Sequence, residues 1–175
     1  MKKQQAFTLV ELMVTMAVFA VLVTIAIPAF NSYVRTNRLS SETNALVGAL
    51  SFARSEAVKR GANISVCRSS DGATCATDAS GWNAGWIIFV NTDNDAPAAV
   101  DAGEEILHVY GALSTGNTLS ASAGFSNYIT YRSNGFGNSQ GQFIFCDSTG
   151  AASAVNIAVN RIGKTTQSTG GGTCT

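Results

Sequence analysis

Between Met1 and Ser41 the chain carries a single carboxylate, Glu11, and its setting is unfavourable to a charge. Glu11 follows the basic start Met1-Lys2-Lys3-Gln4-Gln5-Ala6 and lies within Phe7-Thr8-Leu9-Val10-Glu11-Leu12; the next charge is Arg35. Inside a bilayer span a carboxylate costs about 2.5–3.5 kcal/mol on insertion scales. A side chain kept at that cost needs a cationic partner. Glu11 is therefore expected to be a contact group that pairs with a positive charge.

Four cysteines, Cys67, Cys75, Cys146 and Cys174, are the second set with possible chemistry. A zinc site would draw on Cys and His at close spacing, yet no Cys-x-x-Cys occurs and the lone His108 lies in a strand-like run. No metal and no cofactor are expected. In a body held outside the cytoplasm four cysteines point to disulfides, with three pairings open. The expected one joins Cys67 to Cys75 across a short loop between strands, and Cys146 to Cys174, tying the tail to a late strand. Asp93, Asn94, Asp95, Asp101, Glu104 and Glu105 form the densest oxygen-rich stretch. The calcium-loop spacing of an EF-hand is missing from it, so a polar loop between two strands is expected. Neither a Gly-x-Ser-x-Gly elbow nor a phosphate loop is present, and catalysis is not expected. Trp82, Trp86, Phe89, Tyr110, Phe143 and Phe145 are expected to form sheet core.

The elements that hold these residues follow from periodicity. Leu12 to Val34 is an uncharged run of 23 residues, longer than the roughly 7–15 apolar residues of a signal peptide and enough for a spanning helix of about 20. Pro28 lies inside it, where a missing donor and a clash with the preceding turn predict a bend. Leu39, Leu46, Leu50, Ala53 and Ala57 then recur at spacings of three, four or seven, which predicts that the helix continues with one buried stripe. Gly61 is the expected stop. The domain boundaries expected are a leader over 1–6, a helix over 7–61 with its membrane part at 7–30, and a β-rich body over 62–175. Strands are predicted over Asn63–Cys67, Gly85–Val90, Glu105–Tyr110, Asn127–Tyr131, Gln142–Cys146 and Ala154–Val159, with a short one at Thr118–Ser120. The fold class is α+β: one long N-terminal helix on an antiparallel sheet or two packed sheets. Ser168–Gly172 is expected to be a flexible tail held by Cys174.

Composition agrees with a single exported domain beyond the helix. Formal charge is zero and 13% of residues are charged. From Ala62 onward there are four basic residues against eight acidic, a balance that lacks the charge needed to neutralise phosphates. Nucleic acid is not an expected partner.

Ala6-Phe7-Thr8-Leu9-Val10-Glu11-Leu12 resembles the processing site of type IV prepilins and type II secretion pseudopilins. The resemblance implies that a membrane peptidase cuts between Ala6 and Phe7 and N-methylates Phe7. Ala6 stands where the family usually has Gly. Glu11 becomes the fifth mature residue, a position implied to pair with the terminal amine of a neighbouring subunit. A second resemblance is narrower. Phe52-Ala53-Arg54-Ser55-Glu56-Ala57-Val58-Lys59-Arg60-Gly61, then Trp82 to Trp86 with Ile87-Ile88-Phe89-Val90-Asn91, are similar to the GspH/FimT family, nearest in pattern to FimU/FimT-type minor pilins.

This resemblance implies a type IV pilin-like fold and a minor pilin that primes pilus assembly, with roles in piliation and twitching motility. Implied partners are other minor and major pilins or pseudopilins, the prepilin peptidase and the inner membrane. The implied location is the inner membrane, single-pass with a periplasmic body, and then the assembled pilus or pseudopilus. One alternative is an H-type pseudopilin of a type II secretion system. Another is a DNA-binding minor pilin, against which stands Gly163-Lys164-Thr165-Thr166 in place of that group's Gly-Arg-x-Arg element.

Overall fold

The computed structural model describes residues 8–77 and 81–174. Its first element, α1, runs from Leu9 to Arg60. The chain divides into two compact units, 1–38 and 39–175, so the second half of α1 belongs to the body. Gly61 ends the helix at φ +64°, a left-handed conformation that costs glycine little. Past it, the Ala62 N–H donates to the Ala57 carbonyl at 3.3 Å, which satisfies a terminal acceptor in the Schellman manner.

Among the described residues eight strands follow: β1 (Ile64–Arg68), β2 (Trp86–Val90), β3 (Ile106–Tyr110), β4 (Thr118–Ala121), β5 (Tyr128–Tyr131), β6 (Gly141–Cys146), β7 (Val155–Val159) and β8 (Thr165–Thr169). They form two four-stranded sheets in the orders β3-β2-β1-β5 and β4-β6-β7-β8. Every pairing is antiparallel. The seven strands expected from sequence all occur, each within one residue of the predicted ends.

In the body, α1 buries Leu39, Thr43, Leu46, Ala49, Leu50, Ala53, Glu56 and Ala57, the three- and four-residue recurrence that keeps one face inward. That face joins the inner faces of both sheets in one apolar cluster, which includes Val66, Ile88, Ile129, Phe143 and Ile157. Buried Thr43 turns its hydroxyl back to the Leu39 carbonyl at 2.7 Å, so no polar atom is stranded there. Trp82 ties the layers together. Its indole N–H donates to the Phe125 carbonyl at 2.9 Å, and its ring meets Phe143 edge-on at 5.0 Å while Phe125 stacks on the same ring at 5.2 Å.

The first sheet is also covered on its reverse face. Cys67, Ile87, Phe89 and Ala98 form a smaller cluster with Val100, Ile106 and Tyr128 packed against it. Every residue of β1 and β2 is consequently buried. This explains why Trp86-Ile87-Ile88-Phe89-Val90 is an unbroken apolar run where a half-exposed strand would alternate.

The C-terminal stretch departs from expectation. Ser168 and Thr169 belong to β8, which pairs with β7 over five residues. Just beyond, Gly170 donates its N–H to the Ala154 carbonyl and accepts from Asn156 Nδ2, both at 2.8 Å. β8 is Thr-Thr-Gln-Ser-Thr and mostly exposed. An edge strand held by backbone pairing needs no apolar residue, and so it leaves no hydrophobic signal.

Both disulfides join the expected partners. Cys67 and Cys75 have Cα atoms 5.6 Å apart, and Cys146 and Cys174 5.8 Å. The closed loops span 8 and 28 residues, for which chain entropy gives about 2.5 and about 3.6 kcal/mol. Replacing each pair by alanine should lower the unfolding free energy by roughly these amounts, the Cys146/Cys174 pair more, as measured by urea titration of the oxidised chain.

Polar ties complete the body. The Glu42 carboxylate accepts from the Ser114 N–H and from Asn117 Nδ2, both at 2.7 Å, fixing the β3–β4 connection to α1. Glu56 accepts from Arg60 Nε at 2.7 Å and Lys59 Nζ at 3.1 Å, which lowers its pKa below the ordinary 4.5. Asp71 is lowered further from 3.8, first by the Thr74 and Ala73 backbone N–H groups and then by the Thr74 and Ser69 hydroxyls. A carboxylate depressed in the folded state contributes stability that is present above its unfolded pKa and lost as pH falls through the folded one. The midpoint of thermal unfolding should therefore hold steady above about pH 5 and drop progressively below about pH 4. Asp71→Asn should flatten the lower part of that profile.

Candidate functional site

Leu9, Val10, Met13, Phe19, Leu22, Ile25 and Phe30 are all exposed, and no residue between Thr8 and Arg38 is buried within the chain. A helix apolar on every side requires lipid or other helices around it. Among the described residues α1 is the one helix long and apolar enough to cross a membrane. Three of its hydroxyls are turned onto its own backbone: Thr15 donates to the Leu12 carbonyl at 2.9 Å, Thr24 to Val21 at 2.7 Å and Thr36 to Ser32 at 3.0 Å. That arrangement leaves few polar atoms for a nonpolar surrounding to desolvate.

Glu11 sits in the first turn of this helix. The Thr8 hydroxyl oxygen accepts the Glu11 backbone N–H at 3.2 Å, and the Leu12 N–H reaches the Thr8 carbonyl at 3.2 Å. Thr8 is thus the N-cap of a Thr-x-x-Glu start, a role present in the sequence pattern but not drawn from it. The cap fixes where α1 begins and sets the carboxylate at the positive end of the helix dipole. The side chain is exposed, and among the described residues no cation pairs with it. It is an outward-facing carboxyl group on an apolar stretch of helix. Ala6 and Phe7, the expected processing residues, lie outside the described residues. Pro28 lies inside α1; having no N–H, it leaves the Thr24 carbonyl without its usual helical donor.

In the body, Asp93, Asp95 and Asp101 converge in the β2–β3 connection, their carboxylate oxygens within 4.8 Å of one another. Local desolvation, then the charges of Asp93, Asp95 and Glu104, raise the Asp101 pKa above 3.8. Glu104 braces the same loop by accepting from the Thr92 N–H at 2.7 Å and the Asp101 N–H at 3.1 Å. His108 is exposed on β3, stacked on Tyr110 at 4.7 Å and edge-on to Phe52 at 6.1 Å. Sequence reasoning missed a groove of about 630 Å³ between α1 and two turns, lined by Val47, Arg54, Val58, Gly135, Gly163 and Lys164 among others.

Comparison with known proteins bears on both parts of the chain. The profile of a family described as Type II transport protein GspH matches residues 42–163. The prokaryotic N-terminal methylation motif matches residues 1–27. Curated protein sequences return no match. Among solved structures, the chain is similar to the type IV minor pilin FimU of Pseudomonas aeruginosa PAO1 in two crystal forms. One aligns with a TM-score of 0.56 at 20% identity, over 75% of this chain and 89% of that one. The other gives 0.52 at 20% identity, over 74% and 91%. At that identity the likeness concerns the fold: one long helix packed on two antiparallel sheets. The GspH profile covers most of the body and the methylation motif covers the start of the apolar helix, so the chain belongs to the GspH family of type IV pilin-like proteins.

Proposed function

We propose that this protein is a minor type IV pilin, a non-enzymatic subunit that helps to prime and assemble the pilus. The observation that carries the reading is the exposed Glu11 carboxylate on a helix otherwise apolar all round. Such a rod is stable in the inner membrane, and it is equally suited to transfer into a bundle of like helices. Cleavage between Ala6 and Phe7 would create a terminal amine, and in a bundle that amine from a neighbouring subunit neutralises Glu11. The loss of a helical hydrogen bond at Pro28 supplies a bend that lets the helix adjust to its neighbours. The body then remains on the periplasmic side until incorporation. The partners are other minor and major pilins, and the prepilin peptidase acts first.

One observation favours a second reading. The matching family is described as a type II transport protein, and an H-type pseudopilin would use the same helix and body in a secretion piston. Deleting the gene in the source organism separates the two. Loss of surface pili and twitching with normal protein export supports the pilin. Retained pili with exoproteins trapped in the periplasm replaces it with the pseudopilin.

A further inference from the structure

The groove beside α1 and the acidic β2–β3 connection both meet the turn from Arg132 to Gly137. Arg54 reaches across the groove floor, its Nε donating to the Gly135 carbonyl at 3.0 Å. Gly163 has φ +73°, and a Cβ there would lie 2.9 Å from Arg54 Nε, so the floor is closed by a residue that must lack a side chain. The Gly137 N–H donates to the Arg161 carbonyl at 2.9 Å and holds the two turns side by side. Among the described residues no acidic side chain lines this groove, whereas Arg54, Lys164 and Lys59, the last paired with Glu56, do. Exposed Arg161 adds to the charge, and among the described residues neither it nor Lys164 is in an ion pair.

The turn from Arg132 to Gly137 forms one side of the groove and also meets the acidic connection. Arg132 and Asn138 line a small cleft of about 120 Å³ together with Asp95. Half-exposed apolar side chains lie along the same stretch: Val58 in the groove, with Phe136 and Ile162 one residue from its lining glycines, at 55%, 47% and 49% exposure. The basic groove and the acidic connection thus lie on either side of one turn, with exposed apolar residues near it and the Asp93, Asp95 and Asp101 carboxylates crowded against one another in the connection. Crowded like charges raise their own free energy, and a cationic surface placed opposite them relieves it.

We propose that this surface is a contact between two copies of the chain, the basic groove of one receiving the acidic β2–β3 connection of the other. Both complementary halves are present on one molecule, so a second copy supplies the fit without any further component. If the two copies are related by a two-fold axis each contact is made twice; if not, the contact propagates head to tail. The inference is independent of whether the assembly is a pilus or a secretion piston.

The test uses the full chain in detergent, followed by sedimentation. The wild type should associate at low salt and dissociate as sodium chloride rises from about 0.05 to about 0.5 M, where screening shortens to a few ångströms. Reversing the groove (Arg161→Glu with Lys164→Glu) should weaken association at least tenfold, and reversing the loop (Asp93→Lys with Asp101→Lys) should do the same. Mixing the two variants should restore it, because both contacts are then complementary again. All four positions are exposed, and intact disulfides with an unchanged far-ultraviolet spectrum establish that the variants are folded. A wild type that stays monomeric at low salt overturns the proposal. So does association indifferent to salt and to both reversals, or folded variants that fail to rescue one another. A monomeric wild type whose groove reversal still blocks incorporation into the fibre assigns the groove to a different subunit.

Discussion

A Glu11→Val chain should insert in the membrane normally and yet fail to enter the assembled fibre. Valine removes the cost of about 2.5–3.5 kcal/mol that a carboxylate imposes on the span, so insertion is if anything improved. Assembly is penalised by a different quantity. In the proposed assembly contact the partner amine would remain charged after its anion is gone, and stripping one member from a buried ion pair costs roughly 3–5 kcal/mol. Each 1.4 kcal/mol is tenfold in an equilibrium, which places incorporation more than about 100-fold below wild type. Immunoblots of sheared fibres against the membrane fraction measure the ratio directly. Equal incorporation of the valine variant would remove Glu11 from the assembly contact. Glu11→Gln adds a control, since the Thr8 cap bonds the backbone N–H of residue 11 and is retained whichever side chain stands there.

Trp82→Ala should be the most damaging single change in the body, lowering the unfolding free energy by about 3–5 kcal/mol. The indole is 2% exposed and sits in the main cluster, against the Phe125–Phe143 pair. Truncation empties a large volume that two rigid rings cannot fill by themselves. It also leaves the Phe125 carbonyl without the donor it now has at 2.9 Å. Trp82→Phe keeps most of the volume and forfeits the hydrogen bond, so a loss of about 1–2 kcal/mol separates the two contributions. Chemical denaturation of the three proteins checks the order. A Trp82→Ala variant as stable as wild type would show that the ring trio does not brace the layers.

What the sequence disclosed depended on how each signal is produced. Strands made of β-branched and aromatic runs, such as Tyr128-Ile129-Thr130-Tyr131, announce themselves because apolar burial is what made them strands. β8 has no apolar residue to announce it and is held by its partner's backbone. Glu11 stood out for the opposite reason, as a cost with no local return. The cysteine pairing was legible only as one of three: a short loop suggested Cys67 with Cys75, which leaves Cys146 for Cys174, 28 residues on. The groove was not, because Arg54, Gly135 and Gly163 come from three distant segments, and only the packed body brings them within contact. The same holds for Glu42, whose carboxylate finds its donors at Ser114 and Asn117, more than seventy residues away.

The double covering of the first sheet has a consequence for the time scales of the body. β1 has a strand on each side and side chains packed on both faces. Its amide protons have no local path to water and exchange only when the whole body opens. At the other extreme β8 lies on an edge, mostly exposed, and can peel and reclose without disturbing the core. The body is therefore graded, with a slow centre beneath α1 and a fast margin that begins at Thr165, on the lip of the basic groove. If the groove is the proposed contact between copies, that contact falls on the margin where a backbone rearrangement costs least.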